Sequence, residues 1–301
     1  MDTRPITPAT LAGSVIAVPP LARQASLALD HAENRRLIRH LESGDIRTLL
    51  YGGNAALGHV APSKYAELLS MLRDSAGSDT LVIPSVGPGF GMMMDQAEIL
   101  RDFAFPTAML LPTNDPTTPA GIATAMRRFV DRFGRPAVLY LKRDGSVNID
   151  TIRRLTNDGL ISWIKYAIVR KNPTDDPYLR EMIDAIGPSS IVSGMGEQPA
   201  ITHLRDFGLS GFTSGCVCVA PRLSMDLLRA AQAKDFVTAE RIRERFAPLE
   251  ALRDEISPVR VLHAAVQLAG IANTGPITPL LSSVETDDLA PIEAAAKRLL
   301  S

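Results

Sequence analysis

The sequence predicts an α/β protein built as a (β/α)8 TIM barrel with a C-terminal helical extension. Short runs of apolar and β-branched residues alternate with longer amphipathic segments as far as about residue 220, and only helical patterns follow. Strict alternation of this kind predicts a parallel sheet, and a (β/α)8 barrel takes about 250 residues, which fits a chain of 301 residues. The eight predicted strands are residues 14–18, 48–51, 80–86, 107–111, 137–141, 163–169, 190–193 and 211–216.

Helical patterns separate these strands, and several of them open with proline or an acidic residue, as the first turn of a helix prefers. They cover residues 31–42, 62–73, 95–103, 119–133, 149–157, 177–186 and 198–207. Four more patterns follow the last strand, at residues 224–232, 236–252, 259–272 and 289–300. We therefore expect a barrel over residues 1–222 and a helical extension over residues 223–301.

An open, doubly wound sheet is the alternative arrangement of such units. It would need a glycine-rich phosphate-binding turn after the first strand, whereas Val18-Pro19-Pro20-Leu21 contains no glycine. The stretch Gly87-Pro88-Gly89-Phe90-Gly91 does not have the dinucleotide-binding spacing, and we interpret it as a tight loop at the end of the third strand. The strand count also favours the closed barrel.

Composition narrows the class of partner. The formal net charge is −1 and arginines are spread among acidic residues, so the chain lacks the basic patch of a nucleic-acid-binding protein. No apolar stretch approaches the roughly 20 residues that span a bilayer, and Met1-Asp2-Thr3-Arg4-Pro5 does not resemble a secretion signal. We expect a cytoplasmic protein that binds a small molecule and contacts neither nucleic acid nor membrane.

The two cysteines, Cys216 and Cys218, are two residues apart in an apolar segment, where a strand would point both side chains to one face. A disulfide at this spacing would be strained, and no histidine stands nearby to complete a metal site. We expect buried free thiols and no metal.

Lys165 is the candidate catalytic residue. It interrupts the apolar run Leu160-Ile161-Ser162-Trp163-Ile164-Lys165-Tyr166-Ala167-Ile168-Val169, which is typical of a buried parallel strand. Burial lowers the pKa of a lysine, and a neutral amine is the nucleophile that forms Schiff bases with carbonyl compounds. The alternative is a lysine whose aliphatic stem follows the apolar surface while its ammonium group reaches water.

Tyr140 lies near the end of the preceding predicted strand. Neighbouring strands of a sheet are about 4.8 Å apart, so the phenol can reach the Lys165 amine. This phenol can move the protons that imine formation requires, although a packed aromatic ring is the simpler interpretation of Tyr140 alone. The turn Gly52-Gly53-Asn54 after the second strand offers backbone N–H groups to a carboxylate. We therefore expect a 2-keto acid substrate, a covalent imine with Lys165, and no cofactor.

Six segments that span nearly the whole chain carry a resemblance to a known family: Leu49-Leu50-Tyr51-Gly52-Gly53, Val138-Leu139-Tyr140, Ile164-Lys165-Tyr166-Ala167, Ser193-Gly194-Met195-Gly196-Glu197, Cys218-Val219-Ala220-Pro221 and Ser257-Pro258-Val259-Arg260. Together they resemble the superfamily of dihydrodipicolinate synthase and N-acetylneuraminate lyase. The resemblance implies a (β/α)8 barrel with a helical extension, usually tetrameric, that acts as a class I aldolase, lyase or dehydratase on pyruvate or 2-keto acids. It implies that Lys165 forms the imine and that Tyr140 shuttles protons.

The chain departs from the family pattern in the residues that assist this chemistry. The family motif Gly-Thr-Thr-Gly-Glu is Gly52-Gly53-Asn54-Ala55-Ala56 here, so both threonine hydroxyls are missing. The first of them normally belongs to a proton relay, which its loss at Gly53 interrupts. Asn114 falls where the family has a tyrosine that reaches the partner subunit. These departures argue against dihydrodipicolinate synthesis itself.

Four further residues are candidate substrate contacts. Gly53 and Asn54 can bind a carboxylate through their backbone N–H groups, and the Asn54 amide can hold a hydroxyl. By resemblance, Thr213 stands where the family makes a backbone contact to the keto acid, and Arg143 is the nearest counterpart of the arginine that receives the second substrate. Glu197 is a candidate for the rim of the pocket, or for a helix cap.

Two hypotheses for function follow. The first is a Schiff-base lyase, an aldolase or dehydratase, acting on pyruvate or a 2-keto-3-deoxy acid as a homodimer or homotetramer. The second is a non-catalytic or regulatory barrel that binds keto acids. An unrelated phosphate-binding barrel would need more glycine after the seventh and eighth strands than Gly194, Gly196 and Gly211 supply.

Overall fold

The computed structural model describes all 301 residues and has the predicted fold. Eight parallel strands close into a barrel in the order β1 to β8, and helices alternate with them. The strands are β1 Ile16–Ala17, β2 Thr48–Tyr51, β3 Leu81–Val86, β4 Met109–Leu110, β5 Ala137–Leu141, β6 Ile161–Tyr166, β7 Ile191–Ser193 and β8 Gly211–Ser214.

Side chains alternate between the two sides of the barrel wall, as they must along a strand. One cluster fills the barrel interior, and a much larger cluster of 70 buried residues packs the strands against the helices. The interior cluster comprises Leu11, Ile16, Val18, Leu50, Leu81, Ile83, Met109, Val138, Trp163 and Val192. Trp163 is therefore the inward-facing residue of β6 that precedes Lys165 by two positions.

The helices are α1 Pro8–Ala12, α2 His31–Ser43, α3 Pro62–Ser75, α4 Phe90–Arg101, α5 Pro119–Phe133, α6 Ile149–Asn157, α7 Pro177–Ile186, α8 Glu197–Phe207, α9 Pro221–Gln232, α10 Phe236–Glu255, α11 Pro258–Leu268 and α12 Thr286–Leu300. Their starts follow local chemistry. Thr118, Asn148 and Asp176 accept hydrogen bonds from backbone N–H groups in the first turns of α5, α6 and α7, which would otherwise lack partners.

Several predicted boundaries differ from the structure, and two of them change how a motif is interpreted. Cys216–Cys218 forms a short 3₁₀ helix rather than strand, because β8 ends at Ser214, whose hydroxyl accepts from the Val217 N–H at 3.0 Å. Helix α4 begins at Phe90, five residues before its predicted start. The predicted glycine loop is therefore confined to Gly87–Gly89, where Gly87 has a φ of 87° that favours glycine.

The extension packs along one side of the barrel. Helix α9 contacts α8 and α2, and α10 contacts α8, α9, α11 and α12. The division of the chain at residue 222 stays a prediction. Both cysteine thiols are free and buried, and no helix is long and apolar enough to cross a membrane.

Candidate active site

Lys165 and Tyr140 are directly paired across the β5–β6 ladder. Both follow inward-facing residues by two positions, Val138 on β5 and Trp163 on β6, so their side chains point to the barrel axis near the carboxyl ends of the strands. The Lys165 Nζ lies 4.6 Å from the centre of the Tyr140 ring. Chemistry in this fold takes place at that end of the barrel. The structure therefore brings together the two residues that the sequence singled out.

The lysine is buried, with 5% of its surface exposed, and its ammonium group does not reach water along an apolar stem. Burial, followed by the nearby positive charges of Lys142 and Arg253, lowers the pKa of Lys165 to about 7. Burial raises the pKa of Tyr140 to about 12. At neutral pH the site therefore holds a substantial fraction of neutral amine beside a protonated phenol.

A cavity of about 880 Å³ opens beside Tyr140. The loops after β3, β4 and β5 line it together with α4 and α5, and Tyr140, Lys142 and Arg143 form its border with the barrel. Lys165 is not among the residues that line this cavity. Its volume is in the range of small-molecule sites.

The turn after β2 presents two free donors. Neither the Gly53 N–H nor the Asn54 N–H donates a hydrogen bond within the chain, and the binding of an anion by these groups stays a prediction. The Asn54 side chain is engaged differently than expected: its Nδ2 donates to the Val18 carbonyl at 2.8 Å. His263 Nε2 lies 3.1 Å from the Asn54 carbonyl, so α11 also holds this turn.

The other predicted contacts are distributed around the mouth. Thr213 is buried on β8, and its carbonyl oxygen accepts from the Gly196 N–H at 3.0 Å. Arg143 is exposed at the cavity and donates from Nη2 to the Thr113 carbonyl at 3.2 Å. Asn114 is exposed between Thr113 and Asp115, which both line the cavity.

Glu197 was expected at the pocket rim, and that expectation is wrong because the side chain is fully buried. The hydroxyls of Ser214 and Ser224 donate to its two oxygens at 2.8 and 2.7 Å. Its backbone N–H donates to Glu250 Oε1 at 2.7 Å, which joins α10 to the start of α8. Burial raises the pKa of both carboxyls.

Glu197, Glu250 and Cys216 are the one group of side chains with metal-ligand geometry, since one ligand atom of each lies within 4.8 Å of the others. The serine hydroxyls already use both oxygens of Glu197. Arg253 Nη1 lies 3.7 Å from the Cys216 sulfur and supplies a positive charge. We interpret the cluster as structural.

A second buried network lies behind β6, on the helix side of the barrel wall. Asp176 is fully buried and accepts from the Tyr166 hydroxyl at 2.5 Å and from Arg170 Nη2 at 2.8 Å. Arg170 also donates to Asp144 at 2.7 Å. This network fixes the loop that follows β6, and Tyr166 adjoins Lys165 on that strand. No sequence pattern predicted this network.

Sequence relatives cover most of this chain. A 4-hydroxy-tetrahydrodipicolinate synthase of Stutzerimonas stutzeri is 28% identical over 280 residues, 90% of this chain and 92% of the relative. A probable 5-dehydro-4-deoxyglucarate dehydratase of Rhizobium meliloti is 27% identical over 256 residues, 81% of this chain and 82% of the relative. No protein-family model matches the chain.

Solved structures share the whole architecture. Dihydrodipicolinate synthase of Agrobacterium tumefaciens superposes with a TM-score of 0.85 at 16% identity, over 97% of this chain and 99% of the other. Fold and site thus define a (β/α)8 barrel with a buried lysine at its mouth and a helical C-terminal extension. The sequence relatives and the shared fold support the resemblance to the dihydrodipicolinate synthase and N-acetylneuraminate lyase superfamily.

Proposed function

We propose that this protein is a Schiff-base-forming lyase, an aldolase or dehydratase, that acts on pyruvate or a 2-keto-3-deoxy acid. The observation that carries the proposal is the buried, pKa-lowered amine of Lys165 next to the phenol of Tyr140. The relatives named as a synthase and a dehydratase support the same reaction class. The reaction proceeds through a covalent imine with Lys165 and uses no other cofactor. We also propose a cytoplasmic homodimer or homotetramer.

The chemistry begins when the neutral Lys165 amine attacks the ketone carbon. Tyr140 carries a proton from the nitrogen to the oxygen, which gives a carbinolamine. The phenol then donates a proton to the carbinolamine hydroxyl, which leaves as water, so that a protonated imine forms and the phenolate regains its proton from solvent. The imine then accepts the electron pair of a breaking carbon–carbon bond, or of a carbon–hydrogen bond whose cleavage precedes loss of water, and becomes an enamine. With a pKa of about 12, Tyr140 is a neutral phenol between turnovers. It therefore acts by transferring a proton and not as a permanent phenolate.

The missing relay hydroxyls leave room that a substrate or a water can fill. A Cβ placed on Gly53 would meet no atom within 4 Å, so the space of the absent side chain is open. A substrate hydroxyl or a water molecule in that space takes over the proton transfer. This is where the site departs from the family pattern, and it is why we propose a reaction other than dihydrodipicolinate synthesis.

Trapping with borohydride tests the proposal. The protein is incubated with pyruvate and with a panel of 2-keto-3-deoxy acids, each reaction is reduced, and the adduct is located by peptide mass spectrometry. We expect the adduct on Lys165, with exposed Lys171 as the internal control that stays unmodified, and no adduct in the Lys165→Met variant. Absence of an adduct with every keto acid would contradict the proposal.

The second candidate function is a keto-acid-binding barrel without catalysis. The glycine at position 53 and the asparagine at position 114 favour it, because they remove the hydroxyls that carry protons in the family. It predicts that keto acids raise the melting temperature and form the Lys165 adduct, while mass spectrometry of the incubated keto acid finds no product.

A further inference from the structure

Arg253 is a half-buried arginine on α10 that forms no ion pair with any carboxylate of the chain. Its side chain reaches the barrel from the extension, and neither the sequence motifs nor the predicted contacts include it. Glu250, one helical turn earlier, accepts from the Glu197 N–H at 2.7 Å and so fastens α10 against the barrel end of α8. Helix α10 therefore holds Arg253 in a defined place.

The guanidinium has two partners and one free end. Its Nε donates to the Pro258 carbonyl at 3.2 Å, and its Nη1 lies 3.7 Å from the Cys216 sulfur. Its Nη2 makes no hydrogen bond within the chain. A guanidinium has five N–H donors in a planar fork that matches a carboxylate, so this end is available to a ligand.

Gly215 shows where the free end lies. A Cβ on this residue would stand 2.7 Å from Arg253 Nη2 and 2.9 Å from Asn54 Nδ2. The guanidinium and the Asn54 amide therefore meet at Gly215, directly after β8, and only a glycine leaves room for both. This places Nη2 next to the turn whose Gly53 and Asn54 N–H groups are unused.

Two positive charges, those of Lys142 and Arg253, lie around the mouth of the barrel. Lys142 Nζ lies 5.9 Å from the centre of the Tyr140 ring on the side of β5, and Arg253 stands on the side of β8. Neither has a carboxylate within ion-pair distance, although the buried Glu197 and Glu250 act on Arg253 from farther away. Both positive charges act on the Lys165 amine, and a partly enclosed site bordered by two cations attracts an anion.

We propose that Arg253 binds the carboxylate next to the reacting ketone, together with the N–H groups of Gly53 and Asn54, and replaces the hydroxyls missing from that turn. The inference rests on the proposed function, since it takes a 2-keto acid as the ligand. The residue that selects a keto acid over a neutral ketone then comes from the C-terminal extension and not from the barrel.

The test compares pyruvate with its methyl ester, which keeps the ketone and lacks the charge. The rate of borohydride trapping is measured against concentration for each compound, which gives two half-saturation concentrations and their ratio. In Arg253→Met we expect the preference for pyruvate over the ester to fall about 10- to 100-fold, the range for losing a charged hydrogen-bond partner, while trapping at saturation persists. Arg253→Lys keeps the charge and should lose less.

Arg241→Met is the matched control, because Arg241 is an exposed arginine on the same helix, and it should keep the wild-type preference. Gly215→Ala provides a second route, since its Cβ displaces Nη2 while the charge remains, and it should also lower the preference. A folded Arg253→Met or Gly215→Ala protein with the wild-type preference overturns the role of Arg253 alone. Wild-type protein that traps no keto acid overturns the imine itself.

Discussion

Replacing Lys165 by methionine is expected to stabilise the protein while abolishing imine formation. Methionine keeps the length of the side chain and its contact with the Tyr140 ring, but it has no charge to bury. Burial lowers the pKa of Lys165 from its ordinary 10.5 to about 7, and one pKa unit corresponds to about 1.4 kcal/mol. The ionised lysine therefore costs the folded state about 5 kcal/mol.

The pH dependence of this stability difference shows whether the buried charge of Lys165 causes it. Because the folded-state pKa lies below the unfolded one, the unfolded chain binds more protons between pH 7 and 10.5, and the stability of the wild type rises with pH in that window. The cost is complete below pH 7 and fades toward pH 10.5. The free energy of unfolding of Lys165→Met should thus exceed that of the wild type by about 5 kcal/mol at pH 6 and by about 2 kcal/mol at pH 9.

Urea titrations at several pH values measure this difference. Trp163 is the only tryptophan of the chain, is fully buried and lies two residues from Lys165, so its fluorescence reports unfolding of the site. Lys171→Met, at an exposed lysine without an ion pair, is the control and should show no such trend. If Lys165→Met is no more stable than the wild type at pH 6, or if the gap is the same at pH 6 and pH 9, the amine is not held in the folded state as described.

Two further substitutions address Tyr140 and Asp176. Tyr140→Phe should lower kcat about 10²- to 10⁴-fold for any keto acid that the protein turns over, because it removes the proton-carrying hydroxyl. The Lys165 adduct should still form at saturating substrate. An unchanged kcat would refute the role of the phenol. Asp176→Ala should lower the free energy of unfolding in urea at pH 7 by about 3 kcal/mol, since it leaves Arg170 and the Tyr166 hydroxyl without a buried partner. Burial raises the pKa of Asp176, but hydrogen bonds from Arg170 and Tyr166 outweigh it and hold that pKa below 3.8. The difference in free energy of unfolding between the wild type and Asp176→Ala should therefore be full above pH 4 and shrink as the pH falls below it. The control Asp254→Ala, at an exposed carboxylate, should change the free energy of unfolding little.

Local patterns were enough to predict the barrel. The bounds of β2 and β5, and of α5, α6 and α7, agree with the sequence prediction, because apolar runs mark the strands while proline and capping residues such as Asn148 mark where helices begin. Lys165 was identifiable for the same reason: a charge within an apolar strand conflicts with its surroundings. The proximity to Tyr140 followed from its place near the end of the adjacent strand.

Contacts between distant segments were not predictable in this way. Cys216 and Cys218 lie in an apolar run that suits a strand, yet Ser214 and the packing of α9 turn it into a 3₁₀ helix. Glu197 gives no local sign of being buried, because its serine partners and Glu250 come from three other elements. Arg253 carries no motif, and only the docking of α10 brings it to Gly215. Side chains that act through tertiary contacts follow no period or spacing that a sequence pattern would reveal.

The pairing of Tyr140 with Lys165 has a consequence for how such a protein diversifies. Lys165 and Tyr140, the proposed reacting groups, are held by backbone hydrogen bonds between neighbouring strands, whereas the walls of the cavity come from the loops after β3, β4 and β5. Loops accept changes of length and sequence more readily than the strands they connect. Mutations that reshape the loops can therefore alter the cavity without moving these two side chains.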